Sequence, residues 1–359
     1  MNSPTIELIR MIDNPLIDNS QGSDVREDDR LYKYAFRNNI EMLYFAALIK
    51  HNQLRDLKGE YEELLDRQKM TLRTVSRLAG VLDEGLIPHA ITKTVRPYPG
   101  TPNDIDCLYL GALDMYEQAG RYLQEQRYRL TGPQDMQYEF FDELLGDEFN
   151  NYKGGGRFYI DFYRELAADH MPYMDSDILL NCRRKIEILS GEPPITVFTP
   201  EAEMVVLALH SVLMHRTMPL EVFYTYSYYL ADMTEGQIKG LWGFAKKNHA
   251  EPAFKAIITL METLYKEAFQ KVPHKLSYLI ECTGRRVQEK NQLEKTVFST
   301  PHVILLSTFV LSVFSKIRGK RSRRGFIKEL IHMLNPVFAV EVLYHMLSKK
   351  FIDKHSDHV

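Results

Sequence analysis

Between residues 31 and 85 the chain alternates apolar and polar residues with a helical period. Over residues 31–53, Ile40, Leu43, Tyr44, Ala47 and Leu48 fall on one stripe, which predicts a helical stretch. A longer one follows over 57–85, with Leu72, Val75, Leu78, Ala79 and Leu82 as its apolar face and Gly85 as its stop. Residues 1–30 are polar and irregular apart from a short helical segment at "IELIRMI", and they read as a loosely held arm.

The period changes at Leu86. "LIPHAIT" is short and apolar, and Pro97, Pro99, Gly100 and Pro102 follow it: a strand feeding a turn-rich loop. "DIDCLYLG" reads as a second strand, closed by Gly111. Residues 112–130 read as a helix, with Asp114 and Glu117 spaced as an N-terminal capping box. In "GGGRFYIDFYRELA", Phe158, Ile160 and Phe162 alternate with Tyr159, Asp161 and Tyr163, the period of two that gives a strand its two faces. Past Ile195 the strand signals fade into amphipathic helices up to about Lys349. Thr199 before Pro200, and Thr234 with Gln237, mark two helix starts.

The pattern predicts an α+β protein with a helical N-terminal lead-in, a small mixed sheet and an all-helical C-terminal domain. The expected segments are an arm over 1–30, lead-in plus α/β core over 31–195, and helices over 196–359. A length of 359 residues agrees with two domains, and 45% hydrophobic with 26% charged residues is a globular balance. A net charge of -3 gives no global basic field of the kind that announces nucleic acid.

Cys107, Cys182 and Cys282 are far apart and odd in number, which predicts neither a disulfide framework nor a metal-ligand set and suits a cytoplasmic protein. The N-terminus lacks the pattern of a secretory signal. No apolar run has the length of a membrane span; "VILLSTFVLSVF" (303–314) fits a core helix better, with an interfacial segment as the alternative that the cations after it leave open.

The candidate chemistry is carboxylate chemistry. On a strand, Asp104 and Asp106 face one side while Ile105 and Cys107 face the other. Asp161 sits in the middle of another strand, so neighbouring strands would bring three carboxylates together. Mg²⁺ takes hard oxygen ligands of this kind together with substrate phosphates. Three carboxylates can hold two such ions to clamp the attacking and leaving oxygens of a phosphoryl or nucleotidyl transfer.

The order helix, "IPHAITKT", loop, "NDIDCLYL", helix, "YIDFYREL" resembles an uncharacterised branch of the nucleotidyltransferase-fold superfamily, the group that includes polymerase beta. "RNNIEMLYFAALIK" and "FTPEAEMVVLALH" also look like this branch, so the resemblance covers roughly residues 35–230. It implies that Asp104 and Asp106 bind two Mg²⁺ ions (Mn²⁺ as a substitute). Asp161 would bind one of them and help activate an acceptor hydroxyl, and Lys93, Thr94 and Arg96 would hold a triphosphate. The implied reaction moves an NMP from an NTP to a hydroxyl on RNA, protein or a small molecule. Where the superfamily usually has Gly-Ser after the first strand, this chain has Lys93-Thr94. The alternative is therefore an inactive module of the same fold that binds nucleotide or RNA.

"SKIRGKRSRRGFIKEL" places Lys316, Arg318, Lys320, Arg321, Arg323 and Arg324 within nine positions, a phosphate-contacting patch for RNA or acidic lipid, or a solvated loop. The aromatic run "VFYTYSYYL" (222–230) is expected in a core rather than as a base-stacking platform. Glu329 with His332 and Glu341 with His345 do not supply the paired Glu-x-x-His set of a di-iron bundle. Walker, Gly-x-Ser-x-Gly, His-Glu-x-x-His and Gly-x-Gly-x-x-Gly motifs are missing from the sequence.

Overall fold

A computed structural model describes residues 3–17, 25–133, 136–144, 159–168, 171–284, 298–300 and 302–317. The architecture is α+β: N-terminal helices, a seven-stranded mixed sheet, then a helical C-terminal region. The chain divides into two compact units. One comprises Met1–Gln68, Arg96–Thr101 and Met204–Ser312, and the other is built from Lys69–Val95 and Pro102–Glu203. This differs from a linear boundary at residue 195, because the lead-in helices join the C-terminal helices.

In the helical unit, α1 (Pro4–Met11) buries Ile6, Leu8 and Ile9, so the expected loose arm is held at this segment. The Arg10 Nε and Nη2 atoms donate to the carbonyls of Ala268 (2.9 Å) and Glu267 (3.0 Å). These belong to the helix Glu251–Phe269. The single stretch expected over 31–53 is two helices, α2 (Asp29–Arg37) and α3 (Glu41–Lys50). They break at Asn38-Asn39, where Asn39 takes φ 54°, a left-handed conformation that asparagine tolerates. The helix α4 (Lys58–Glu84) runs from this unit into the other.

The strands of the second unit are β1 (His89–Thr92), β2 (Ile105–Tyr109), β3 (Tyr128–Pro133), β4 (Gln137–Asp142) and β5 (Ile160–Tyr163). After the short pair β6 (Ala167–Ala168) and β7 (Met171–Pro172) come β8 (Arg183–Ile186) and β9 (Ile195–Phe198). The sheet order is β3-β4-β5-β2-β1-β9-β8. The pairs β2/β5 and β1/β9 are parallel, while β1/β2, β3/β4, β4/β5 and β8/β9 are antiparallel.

Between β2 and β3 lies α5 (Tyr116–Glu125), preceded by a 3₁₀ turn at Leu113–Met115. Asp114 therefore does not cap it, and the cap position, Met115, makes no side-chain bond. The helix expected to reach residue 130 stops at Glu125. Arg127 takes φ 68°, and Tyr128 and Leu130 enter β3. A helical stripe of Val75, Leu78 and Leu82 on α4 packs with Leu123 of α5 against Ile105, Cys107, Ile160 and Phe162 of the sheet. This apolar layer fixes which way β2 and β5 face.

The helical region continues after α6 (Ser176–Leu179) with α7 (Pro200–His210), a π turn at Ser211–His215, α8 (Leu220–Asp232) and α9 (Glu235–Lys247). It ends with α10 (Glu251–Phe269), α11 (His274–Thr283) and α12 (His302–Ile317). A two-residue ribbon, β10 (Thr217–Met218) with β11 (Phe298–Ser299), is its only sheet among the described residues. The aromatic run of α8 is core: Phe223, Tyr224 and Tyr226 are fully buried. Thr234 and Gln237 form the expected capping box of α9. The core helix expected over 303–314 is buried on one side at Ile304 and Leu305, whereas Val303, Leu306 and Val310 are exposed. Among the described residues, no helix is long and apolar enough to cross a membrane.

Candidate carboxylate site

The sheet register carries a row of side chains across four strands. Asp106 of β2 lies opposite Asp161 of β5, Asp161 lies opposite Glu139 of β4, and Asp106 lies opposite Thr92 of β1. Strand alternation explains why these charges share a face. Ile105 and Cys107, like Ile160 and Phe162, enter the apolar layer under α4 and α5, so Asp106 and Asp161 take the opposite side. Asp104 lies just before β2, outside the ladder, although its charge reaches Lys93 and Tyr163.

A tight turn places Lys93 over the pair. The Thr94 amide donates to the Thr92 carbonyl at 2.6 Å, and Lys93 between them takes φ 56°. A three-residue turn with a left-handed centre is strained for a residue with a side chain. Glu203 of α7 holds it: Oε1 accepts from the Lys93 amide at 2.5 Å and Oε2 from the Thr92 hydroxyl at 2.9 Å. The Lys93 ammonium then meets Asp106 Oδ1 at 2.8 Å, with side-chain exposures of 9% and 8%. It also lies 5.0 Å from the centroid of the Tyr163 ring. The Tyr163 hydroxyl donates to Asp161 Oδ2 at 3.1 Å. Thr94 is turned inward, its Oγ1 accepting from the Asp106 amide at 2.8 Å.

The electrostatics follow from crowding charge in a buried place. Burial first, and then the Asp106 carboxylate, push the Asp161 carboxyl up to about 7. Burial likewise raises Glu203 to about 7, against the hydrogen bonds from the Lys93 amide and Thr92. Burial alone would lower the Lys93 ammonium, but Asp106 in the first place, with Tyr173 and Asp104, carries it above the ordinary lysine range. Tyr163 is raised by burial and by Asp106 and Asp161.

Two residues expected at a triphosphate have other partners. Arg96 belongs to the helical unit, where its Nη1 donates to the Asn39 carbonyl at 2.9 Å and its Nη2 pairs with Glu221 Oε1 at 2.7 Å. The Thr94 hydroxyl is engaged with Asp106. Of the basic patch, Lys316 lies at the end of α12, while Arg318, Lys320, Arg321, Arg323 and Arg324 lie outside the described residues. So do both Glu/His pairs of the C-terminal segment. Glu139, Tyr163 and Glu203 escaped the sequence reading. The one visible signal for Glu203 is a carboxylate within the apolar helix "PEAEMVVLAL", in the first turn where helix dipoles favour acids.

Among the described residues, no group of three or more His, Cys, Asp or Glu side chains is gathered tightly enough to hold a metal ion. Asp106 and Asp161 are the two carboxylates set side by side in the register, and Asp106 already holds a cation, the Lys93 ammonium. This donor set fits one Mg²⁺ of the kind held by one or two carboxylates and completed by substrate phosphates. No protein-family model matches this sequence, and no curated protein matches it.

Proposed function

We propose that this protein is a metal-dependent nucleotidyltransferase that moves an NMP from an NTP to a hydroxyl acceptor on RNA, protein or a small molecule. The observation that carries this is the side-by-side placement of Asp106 and Asp161 on parallel neighbours β2 and β5. Beside it stands the turn that presents Lys93. The antiparallel β1/β2 pair with β5 parallel to β2, and the resemblance of "DID" and "IDFYREL", support the same reading.

Asp106 and Asp161 would hold Mg²⁺ or Mn²⁺, with Asp104 close by. When bound, the ion supplies charge neutralisation at the phosphates, where most of the catalysis of phosphoryl transfer lies. Asp161 would also help activate the attacking hydroxyl by accepting its proton. The acceptor oxygen bonds to the α-phosphorus, the bond from that phosphorus to the β-phosphate oxygen breaks, and pyrophosphate leaves with the electron pair. Lys93 supplies a cation for the triphosphate.

A second reading is favoured by the Lys93–Asp106 ion pair. An ammonium that permanently occupied the carboxylate would leave a non-catalytic module of the same fold, binding nucleotide or RNA. The test incubates the protein with each α-labelled NTP, Mg²⁺ or Mn²⁺, and RNA or protein extract, beside Asp106→Asn and Asp161→Asn. Label transferred by the wild type alone supports the enzyme. Metal-independent NTP binding without transfer supports the module.

A further inference from the structure

We propose, resting on the metal-site reading above, that Lys93 is a tethered cation that occupies Asp106, beside Asp161, until a divalent ion displaces it, which frees the ammonium for the substrate's triphosphate. Four observations carry this. The Lys93 Nζ lies 2.8 Å from Asp106 Oδ1, and both side chains are less than one-tenth exposed. The backbone at Lys93 is held in a left-handed turn, so the side chain starts from a fixed point. Glu203 bonds the Lys93 amide and the Thr92 hydroxyl, clamping the turn and leaving only the four-carbon stem to move. Asp161, which accepts from the Tyr163 hydroxyl, stands opposite Asp106 in register, so a second carboxylate lies beside the ion pair.

The physical logic is charge balance. Two buried carboxylates side by side repel unless a cation stands between them or one is protonated. Lysine is suited to this exchange because its ammonium is a compact point charge on a flexible stem. A divalent ion brings twice the charge and accepts phosphate oxygens as ligands, which an ammonium cannot do. Once released, Lys93 stays tethered beside the site, where an anionic triphosphate recruits it. Metal and Lys93 therefore compete in the free protein and cooperate in the nucleotide complex.

The experiment measures Mn²⁺ binding by electron paramagnetic resonance and thermal unfolding in EDTA or Mn²⁺, for wild type, Lys93→Met and Lys93→Met/Asp106→Asn. Lys93→Met is expected to bind Mn²⁺ roughly tenfold tighter or more than wild type, as the loss of one competing charge interaction allows. Its melting point is expected to fall in EDTA and recover in Mn²⁺, and the double variant is expected to bind no Mn²⁺. Equal Mn²⁺ affinity in wild type and Lys93→Met overturns the exchange and leaves the metal site standing. Absence of Mn²⁺ binding in both, with and without a non-hydrolysable NTP, overturns the exchange and the metal-site reading together. Should Lys93→Met not fold, reductive methylation of the wild type, mapped by mass spectrometry, decides. Lys93 modified faster in Mn²⁺ than in EDTA supports displacement, and an unchanged rate overturns it.

Discussion

Lys93 and Asp106 form an ion pair of 2.8 Å across a turn and a strand thirteen residues apart in sequence, with neither side chain more than 9% exposed. A buried pair of this kind stabilises little over an apolar replacement, yet it is costly to break from one side. The Asp106→Asn protein is expected to lose about 3–5 kcal/mol, because it keeps a buried ammonium with no counter-charge of equal strength. Pairing it with Lys93→Met is expected to recover at least half of that loss. Urea denaturation of the four proteins in the cycle checks this, and additive losses would place the charges apart.

Thr94 supports the site from beneath. Its hydroxyl is the acceptor for the Asp106 amide at 2.8 Å, at a buried position. Removing the acceptor leaves a buried N–H unsatisfied, at a cost of about 1–3 kcal/mol. Thr94→Val is expected to show that loss and Thr94→Ser to retain most of the stability, measured by thermal or urea unfolding.

Glu203 and Asp161 predict a pH dependence of a definite sign. Both carboxyls bind their protons more tightly when folded than in the unfolded chain, each raised to about 7. Between about pH 4 and pH 7 these two groups hold protons in the folded state that the unfolded state has released, so their contribution to stability falls as pH rises through that window and levels off above it. The Glu203→Gln protein keeps a neutral acceptor for the Lys93 amide and loses its share of the slope, an effect of order 3 kcal/mol at most. Melting temperatures at pH 5 and pH 8 should therefore differ less in Glu203→Gln than in the wild type. An equal or larger difference would contradict the buried, raised state of Glu203.

Arg96 is predicted to matter for folding. Its guanidinium pairs with Glu221 at 2.7 Å, and the same carboxylate accepts from Asn39 Nδ2 at 2.8 Å. Arg96→Ala strands that carboxylate in a largely buried place and is expected to cost about 3–5 kcal/mol. Affinity for an NTP, measured on the folded protein, should change less than twofold. A tenfold loss of NTP affinity at unchanged stability would return Arg96 to the triphosphate.

The contrast between these residues shows what a sequence carries. Asp106 and Asp161 were legible because Ile105/Cys107 and Ile160/Phe162 alternate around them, and period-two alternation determines the facing of a strand without tertiary information. Residues 128–130 were read as helix because the periodicity of α5 runs on past Glu125. The break depends on Arg127 taking a left-handed φ, which arginine does not announce. Arg96 carried no sign of its partner, since Glu221 lies 125 positions away and nothing local selects it. Glu203 looked like an ordinary first-turn acid, and its burial against the Lys93 turn is a tertiary fact.

The central claim is that Asp106 and Asp161 together form a metal–nucleotide site. Calorimetric titration of a non-hydrolysable NTP in Mn²⁺, repeated in EDTA and with Asp161→Asn, tests it most directly. Binding in Mn²⁺ that is lost in EDTA and reduced at least ~10-fold by Asp161→Asn is the predicted result, as expected when one of two carboxylate ligands is neutralised. Equal binding in EDTA, or indifference to Asp161→Asn in a folded protein, would contradict it.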